Sequence, residues 1–444
     1  MPQISILGAG MAGFGAAHHL AQAGQKPRLF DRHSFHGGHA ASFRHEGGWI
    51  FDDGPHISFT KNERIQQLFA DSVRQRYETF QARANNYWRG HWIKHPAQCN
   101  LHGLPTELLV KILADFVQAS TTPPGEIRTY ADWLIASFGR TFAETFPMQY
   151  GRKFHTTTAD NMTTDWLGPR LYRPTLEEVL RGAVSPVTAD VHYITQSRYP
   201  THGGFVSYFD RFLPCGDTHL NHEVVEIDVR NSRLRFAHGT TADYDALISS
   251  LPLPTLIALI PDAPPEVRAA ASQLAWTSVL IVNLGIDRAD ISPAHWSYFY
   301  DDDIVFSRLS YPHMQSPHTV PPGAGSIQAE IYFSAKYRPL SDPPESYLPR
   351  VIADLKRCGL LKETDSILFS QATVSPFAQV IFDLERAAAL ATIRGYLDEV
   401  GISVCGRYGE WGYLWTDESF LSGERAARDT LQRLGLPERV PLSA

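Results

Sequence analysis

The strongest constraint in this sequence lies in its first 31 residues. Ile4-Ser5-Ile6-Leu7 is a short β-forming run. It is followed at once by Gly8-Ala9-Gly10-Met11-Ala12-Gly13, then by an alanine-rich stretch that reads as a helix ending near Gly24. A second run, Pro27-Arg28-Leu29-Phe30, leads into Asp31, 18 residues beyond Gly13. Each part has a task in a β-turn-α-β unit that binds a dinucleotide. Gly8 permits the tight turn, Gly10 lets a pyrophosphate approach the backbone, and Gly13 lets helix and strand pack closely. The N–H groups at the helix start favour phosphate charge. Asp31 is placed to accept hydrogen bonds from an adenosine ribose, and its charge disfavours the 2′-phosphate of NADP. The bland alternative is a glycine-rich turn without a ligand; the full order of parts favours the dinucleotide. NAD and FAD share this fingerprint, so both stay open at this point.

Composition narrows the field. The chain has 444 residues, 43% hydrophobic and 20% charged, with a formal net charge of −7. That is ordinary globular composition, long enough for two or three domains. The acidic balance gives no global attraction for nucleic acid or anionic lipid. Cys99, Cys215, Cys358 and Cys405 are too scattered for a zinc-ligand spacing and read as reduced packing residues. No run of 18 apolar residues occurs and the first residues lack a basic signal region, so the expectation is a cytoplasmic protein that does not span a membrane. His33, His36 and His39 imitate a metal-ligand run. They stand in a loop with Gly37-Gly38 and no carboxylate or thiol in register, so no metal is expected.

Further along, residues 62–117 read as helical runs broken by the aromatic patch Tyr87-Trp88-Arg89-Gly90-His91-Trp92. Lys153, His155, Trp166, Arg170, Tyr172 and Arg173 lie close together in sequence. Such a mixture suits a polar, anionic or ring-shaped substrate, or else a solvated loop with its aromatics turned inward. Strand-like runs recur at 222–227, 278–286, 298–306 and 327–333, with Arg308 just beyond the third. The spacing predicts an α/β protein. A discontinuous Rossmann-like domain spans 1–72, 200–262 and 394–444, a helical substrate region 73–199, and a substrate-domain sheet 263–393. No Ser-His-Asp ordering, P-loop or HExxH appears, so hydrolysis and phosphoryl transfer have no support.

Several segments carry a family resemblance. The pair Gly37-Gly38 after Asp31 resembles the signature of flavoproteins that include amine oxidases, protoporphyrinogen oxidase and phytoene desaturase. Gly54-Pro55-His56-Ile57-Ser58-Phe59-Thr60 is similar to a flavin-facing segment of UDP-galactopyranose mutases, with Phe59 where those enzymes have a second histidine. Tyr199-Pro200-Thr201-His202-Gly203-Gly204-Phe205 resembles the return to the flavin domain, and Ser422-Gly423-Glu424-Arg425-Ala426-Ala427 the amine-oxidase C-terminus. The stretch from Gly406-Arg407 to Tyr413-Leu414-Trp415-Thr416-Asp417 is similar to a mutase segment in which Trp415 replaces an aspartate.

The resemblance implies FAD, held by Gly8, Gly10, Gly13, Asp31, Arg32, Gly37, Gly38, His39, Ala40, His56, Val224 at the adenine, Arg407, and Asp417 beside the ribityl chain. It implies a polar small-molecule substrate at Trp166, Arg170 or Arg173, Arg308, Tyr413 and Trp415, with Arg407, Tyr413, His56, Arg170 and Arg173 as candidate catalytic residues. The expected activity is an oxidoreductase passing hydride from that substrate, such as a sugar or nucleotide sugar, to flavin N5. The alternative is a mutase-like isomerase in which reduced flavin N5 attacks the sugar. A flavin-binding protein without catalysis is the third reading.

Overall fold

The computed structural model describes residues 2–438, apart from 124, 169, 170, 190, 192, 193 and 195. Its first lobe is a five-stranded parallel sheet in the order Ile402–Val404, Ala246–Ser249, β1 (Ile4–Leu7), β2 (Arg28–Phe30), Asp217–His219. Segments far apart in sequence thus build one sheet, with β1 in its centre. Ile4, Ile6 and Leu7 are buried to within 1%, each worth roughly 1.5–3 kcal/mol of hydrophobic stabilisation. A strand covered on both faces needs such a continuous apolar run.

Helix α1 (Met11–Gln22) lies between this sheet and the C-terminal helix Thr416–Arg433 and is buried along most of its length. Its small residues are a packing requirement. A β-carbon at Gly15 would stand 2.2 Å from the Phe420 carbonyl oxygen, and one at Gly423 would stand 2.0 Å from that of Ala12. The two helices touch backbone to backbone.

The second lobe is a seven-stranded sheet in the order Ile367–Val380, Trp276–Ile286, Gly325–Phe333, Arg308–Ser310, Trp296–Phe299, Ala84–Trp88, His91–Lys94. All neighbours are antiparallel except Trp296–Phe299 with Ala84–Trp88. Helices Thr106–Thr121, Tyr130–Phe138, Pro147–His155 and Leu176–Val184 cover one end.

Two sequence expectations change here, and one long strand is not anticipated by the sequence. The stretch read as helical runs contains the strands Tyr77–Phe80, Ala84–Trp88 and His91–Lys94, and the last two join the second-lobe sheet. The aromatic patch is therefore a hairpin turning at Arg89-Gly90, both with positive φ. The run at 298–306 is a strand only over Trp296–Phe299. Asp301, Asp302 and Asp303 cannot continue a buried ladder, so the chain turns, and Arg308 opens the next strand. The long strand Ile367–Val380 escapes sequence reading because Gln371, Pro376 and Gln379 interrupt its alternation; Pro376 is tolerated because the strand is an edge. Among the described residues no helix is long and apolar enough to cross a membrane.

Candidate functional site

A cavity of about 1360 Å³ runs from the mouth of the parallel sheet to the face of the second-lobe sheet. At its first end Asp31 stands at the tip of β2, where Oδ2 accepts from the Ala9 N–H at 2.8 Å and Oδ1 from the His33 N–H at 2.9 Å. Arg32, Glu223 and Val224 line the same end.

Beside it the two glycine turns meet. Gly10 and Gly37 form a parallel bridge, and Gly37 N–H donates to the Ala9 carbonyl at 2.8 Å. Gly37 has φ +110° and Gly38 has φ +54°, and both line the cavity with Gly8, Gly10 and Ala40. Helix α1 begins at Gly10 with no side-chain cap, which leaves its first N–H groups for a ligand at the cavity. A β-carbon on Gly10 would meet no protein atom closer than 3.8 Å. The space in front of Gly10 belongs to the cavity, so the residues present fit a pyrophosphate.

The middle of the cavity gathers histidines, carboxylates and Arg407. His39 Nδ1 lies 3.2 Å from Ser375 Oγ, and that hydroxyl donates to Asp53 at 3.1 Å. Burial, helped by the nearby His56 and Arg407, pushes His39 down to about 3, while burial raises Asp53 to about 6. The 3.5 Å contact of His39 with Asp53 is therefore not an ion pair at neutral pH. His56 Nδ1 lies 2.8 Å from the Gly54 carbonyl, which requires the Nδ1–H tautomer and leaves Nε2 an acceptor. Burial, with Arg407 and Arg308 near, lowers His56 to about 4 and keeps it neutral. Arg407 donates through Nε to the Leu414 carbonyl at 2.8 Å and through Nη1 to Gln379 at 2.9 Å, and it lies over the Tyr413 ring. Asp52 next door is raised to about 6 by burial, yet it ties the lobe together by accepting from Ser42, Tyr199 and the Phe205 N–H.

At the far end Arg308 forms a two-point pair with Glu330, through Nε and, at 2.8 Å, through Nη2. Tyr332 donates to the same carboxylate at 2.9 Å, and Tyr298 and Asn283 complete the wall. Nη1 of Arg308 carries no hydrogen bond among the described residues. Phe59 and Trp415 both line the cavity and meet edge to face with ring centroids 4.9 Å apart.

The middle segment departs from expectation. Trp166 does not line the cavity. It is buried behind Tyr413, its indole N–H donating to the Thr163 carbonyl at 3.0 Å and its ring against Tyr130 and His155. Arg173 is exposed and away from the cavity, and Arg170 lies outside the described residues. Lys153 is buried, with Nζ bonded to the Phe299 and Asp301 carbonyls, so it fastens a helix to the sheet. Burial lowers its ammonium to about 7, and both of its bonds go to backbone carbonyls, so it serves geometry, not anion capture. Asp417 does begin the C-terminal helix, but Thr416 and Ser419 face the cavity in its place. The cap is supplied by Glu418, which accepts from the Trp415 N–H at 2.8 Å. The three loop histidines go separate ways: His33 stacks on Phe35, His36 packs on Phe14 and Phe209, and His39 faces Ser375.

Sequence reasoning missed Asp53, Ser375, Gln379, Asn283, Tyr298, Glu330 and Tyr332. Asp53 adjoins the Gly54-Pro55-His56 motif and was within reach. The others sit on second-lobe strands whose local pattern says only that they are strands.

A nucleotide-binding parallel sheet facing a second, antiparallel-rich lobe across one large cavity defines a two-lobed flavoprotein of the amine-oxidase type. The family model described as flavin containing amine oxidoreductase matches residues 11–431. The chain belongs to that family, and FAD is its cofactor. A solved structure of reduced UDP-galactopyranose mutase is similar over 99% of this chain and 97% of its own, with TM-score 0.91 and 25% identity. A structure titled putative protoporphyrinogen oxidase from Exiguobacterium sp. 255-15 has TM-score 0.75 and 15% identity over 97% of this chain and 99% of that one. The 15-cis-phytoene desaturase of Arabidopsis thaliana is 38% identical over 69 residues, 16% of this chain, and the match spans only 12% of the desaturase.

Proposed function

We propose that this protein acts on a nucleotide-diphosphate sugar and rearranges it without net oxidation, in the manner of the mutase it resembles. The observation that carries this reading is the continuity of one cavity from the FAD cradle to Arg308, Tyr298, Tyr332 and Tyr413. The Arg308 guanidinium and the Tyr298 and Tyr413 phenols suit phosphate oxygens, while the Tyr332 hydroxyl is committed to Glu330. Glu330 holds Arg308 by Nε and Nη2, fixing the plane of the group and leaving Nη1 for the substrate. The whole-chain similarity to the mutase, at TM-score 0.91 against 0.75 for the oxidase structure, supports the same reading.

Bound FAD supplies N5, which takes hydride when oxidised and is nucleophilic when reduced. The chain supplies the rest. Arg407, fastened to Leu414 and Gln379, places a fixed cation where negative charge develops. Neutral His56 offers Nε2 as a proton acceptor. The edge-to-face pair of Phe59 and Trp415 gives its wall of the cavity an apolar surface that disfavours water.

The same wall favours a second reading, hydride transfer from a polar substrate, because two aromatic rings present a stacking face where the mutase pattern is polar. The composition supports a small-molecule substrate and a cytoplasmic setting under either reading.

The deciding experiment is anaerobic. Dithionite-reduced protein is incubated with UDP-galactopyranose and related nucleotide sugars, and oxidised protein with the same panel. The proposal expects an isomeric product from the reduced sample and none from the oxidised one. Bleaching of the oxidised flavin by a substrate, with one oxidised product per flavin and no isomer from the reduced sample, would replace it with the hydride-transfer reading.

A further inference from the structure

Several unfavourable features meet at one residue behind the cavity wall. Trp411 has φ +51°, a left-handed conformation that bulky side chains rarely adopt. Its ring is fully buried, and its indole N–H has no hydrogen-bond acceptor among the described residues. Its carbonyl accepts two hydrogen bonds from one side chain, Arg386, through Nε at 3.1 Å and through Nη2.

Arg386 is itself costly. It lies over the Phe382 ring, 4.0 Å from the centroid, and no carboxylate among the described residues forms an ion pair with it. Burial pushes its guanidinium down to about 10. A half-buried cation without an ion-pair partner among the described residues and a left-handed tryptophan are each unfavourable. Native structures hold such strain where the surroundings over-determine it, often at functional sites.

The neighbours show what the strain serves. Trp411 lies in the turn between Arg407 and Tyr413, both in the cavity wall. The turn is closed by Gly412 N–H on the Arg407 carbonyl at 2.9 Å and by Arg407 Nε on the Leu414 carbonyl at 2.8 Å. From the same helix as Arg386 (Arg386–Glu399), Arg394 donates to the Glu410 carbonyl at 2.8 Å. One helix therefore grips two successive carbonyls from behind, and the cavity meets Arg407 and Tyr413 in front.

We propose that Arg386 is a positioning residue, holding the carbonyl of left-handed Trp411 so that Arg407 and Tyr413 keep their places against the flavin. This rests on the reading of Arg407 and Tyr413 as site residues. Without the two donors, Trp411 relaxes towards negative φ, the peptide leading to Tyr413 turns, and the Arg407–Leu414 closure loosens.

The test compares Arg386→Met, which keeps length without a donor, with Arg386→Lys, which keeps a cationic donor. Hydrogen–deuterium exchange is followed in cofactor-free protein, and the flavin midpoint potential in the loaded protein. Arg386→Met should speed exchange in the 405–415 segment by about tenfold, the loss of one or two charge-assisted hydrogen bonds, and leave α1 unchanged. It should also shift the flavin potential, while Arg386→Lys stays near wild type in both. Unchanged exchange in 405–415 overturns the proposal. So does exchange that rises equally in α1 with Arg386→Lys no better than Arg386→Met, because that is a bulk stability role. If Arg386→Met does not fold, Arg386→Lys decides: wild-type exchange supports the clamp and raised exchange refutes it. The exchange experiment contains neither FAD nor substrate, so failure of the nucleotide-sugar reading leaves its result intact.

Discussion

The three glycines of the first turn look alike in sequence and differ in the folded chain. A β-carbon on Gly13 would lie 2.0 Å from the Gly8 carbonyl oxygen, and one on Gly8, at φ +99°, would lie 2.2 Å from Ser250 Oγ. These two are packing positions, where a larger residue fails by misfolding. Gly10 has φ −92° and ψ −174°, a backbone that valine accepts, and free space in front of it. Gly10→Val is therefore expected to fold with near-normal thermal stability and to lose most of its FAD, because its methyl groups occupy the pyrophosphate's place. Flavin absorbance per protein after purification, beside a melting curve, checks this. Wild-type flavin content in the folded variant would place the phosphates elsewhere.

At the scale of elements, the contact between α1 and the C-terminal helix couples the ends of the chain. Glu424, on the second helix, receives a two-point pair from Arg64 of the helix Glu63–Ser72, with Nη1 at 2.8 Å, and has His18 of α1 at 3.6 Å. Burial alone would raise the Glu424 carboxyl, but the nearby His18 and the two bonds from Arg64 outweigh it and bring it down to about 2. A depressed carboxylate stabilises the fold at pH values above its ordinary 4.5, and that contribution fades as pH falls towards 2. Arg64 is half exposed, so screening keeps the loss for Glu424→Gln to about 1–2 kcal/mol at neutral pH. The melting temperature should fall accordingly, and the gap to wild type should close as pH drops from 4.5 towards 2. A gap that stays constant over that range would show that the carboxylate's charge is not what matters.

The whole molecule makes one further commitment. Among the described residues no cysteine lines the cavity, and His39 and His56 there are already engaged with Ser375 and the Gly54 carbonyl, so the FAD is expected to be held without a covalent bond. Heat or acid denaturation should release a flavin that runs as FAD; FMN, or flavin that stays with the precipitate, would overturn this.

Which parts of this were legible in the sequence follows from how local the physics is. The order of strand, glycine turn, helix and acid is complete within 31 residues, because hydrogen bonding to a pyrophosphate and a ribose is done by one turn and one strand end. The glycine pair Gly37-Gly38, His56, Arg407 and Tyr413 were legible for the same reason, each lying in a short motif. Trp166 and Arg173 were not, because proximity in sequence says nothing about which side of a helical cap a residue faces. The Trp166 ring turned inward, and Arg173 stayed in water. Arg308 could be named but not explained, since its partner Glu330 stands across the sheet in register on the neighbouring strand. The Asp53–Ser375–His39 contacts bridge 322 and 336 residues of chain, and the Arg386–Trp411 clamp bridges two elements with no shared motif. The sequence by itself determined the cofactor class and the parallel sheet that carries it, because those rest on backbone geometry and local periodicity. Only the tertiary structure decided what faces the substrate and what holds Arg407 in place, because burial and pairing are set by which distant segments the two sheets bring together.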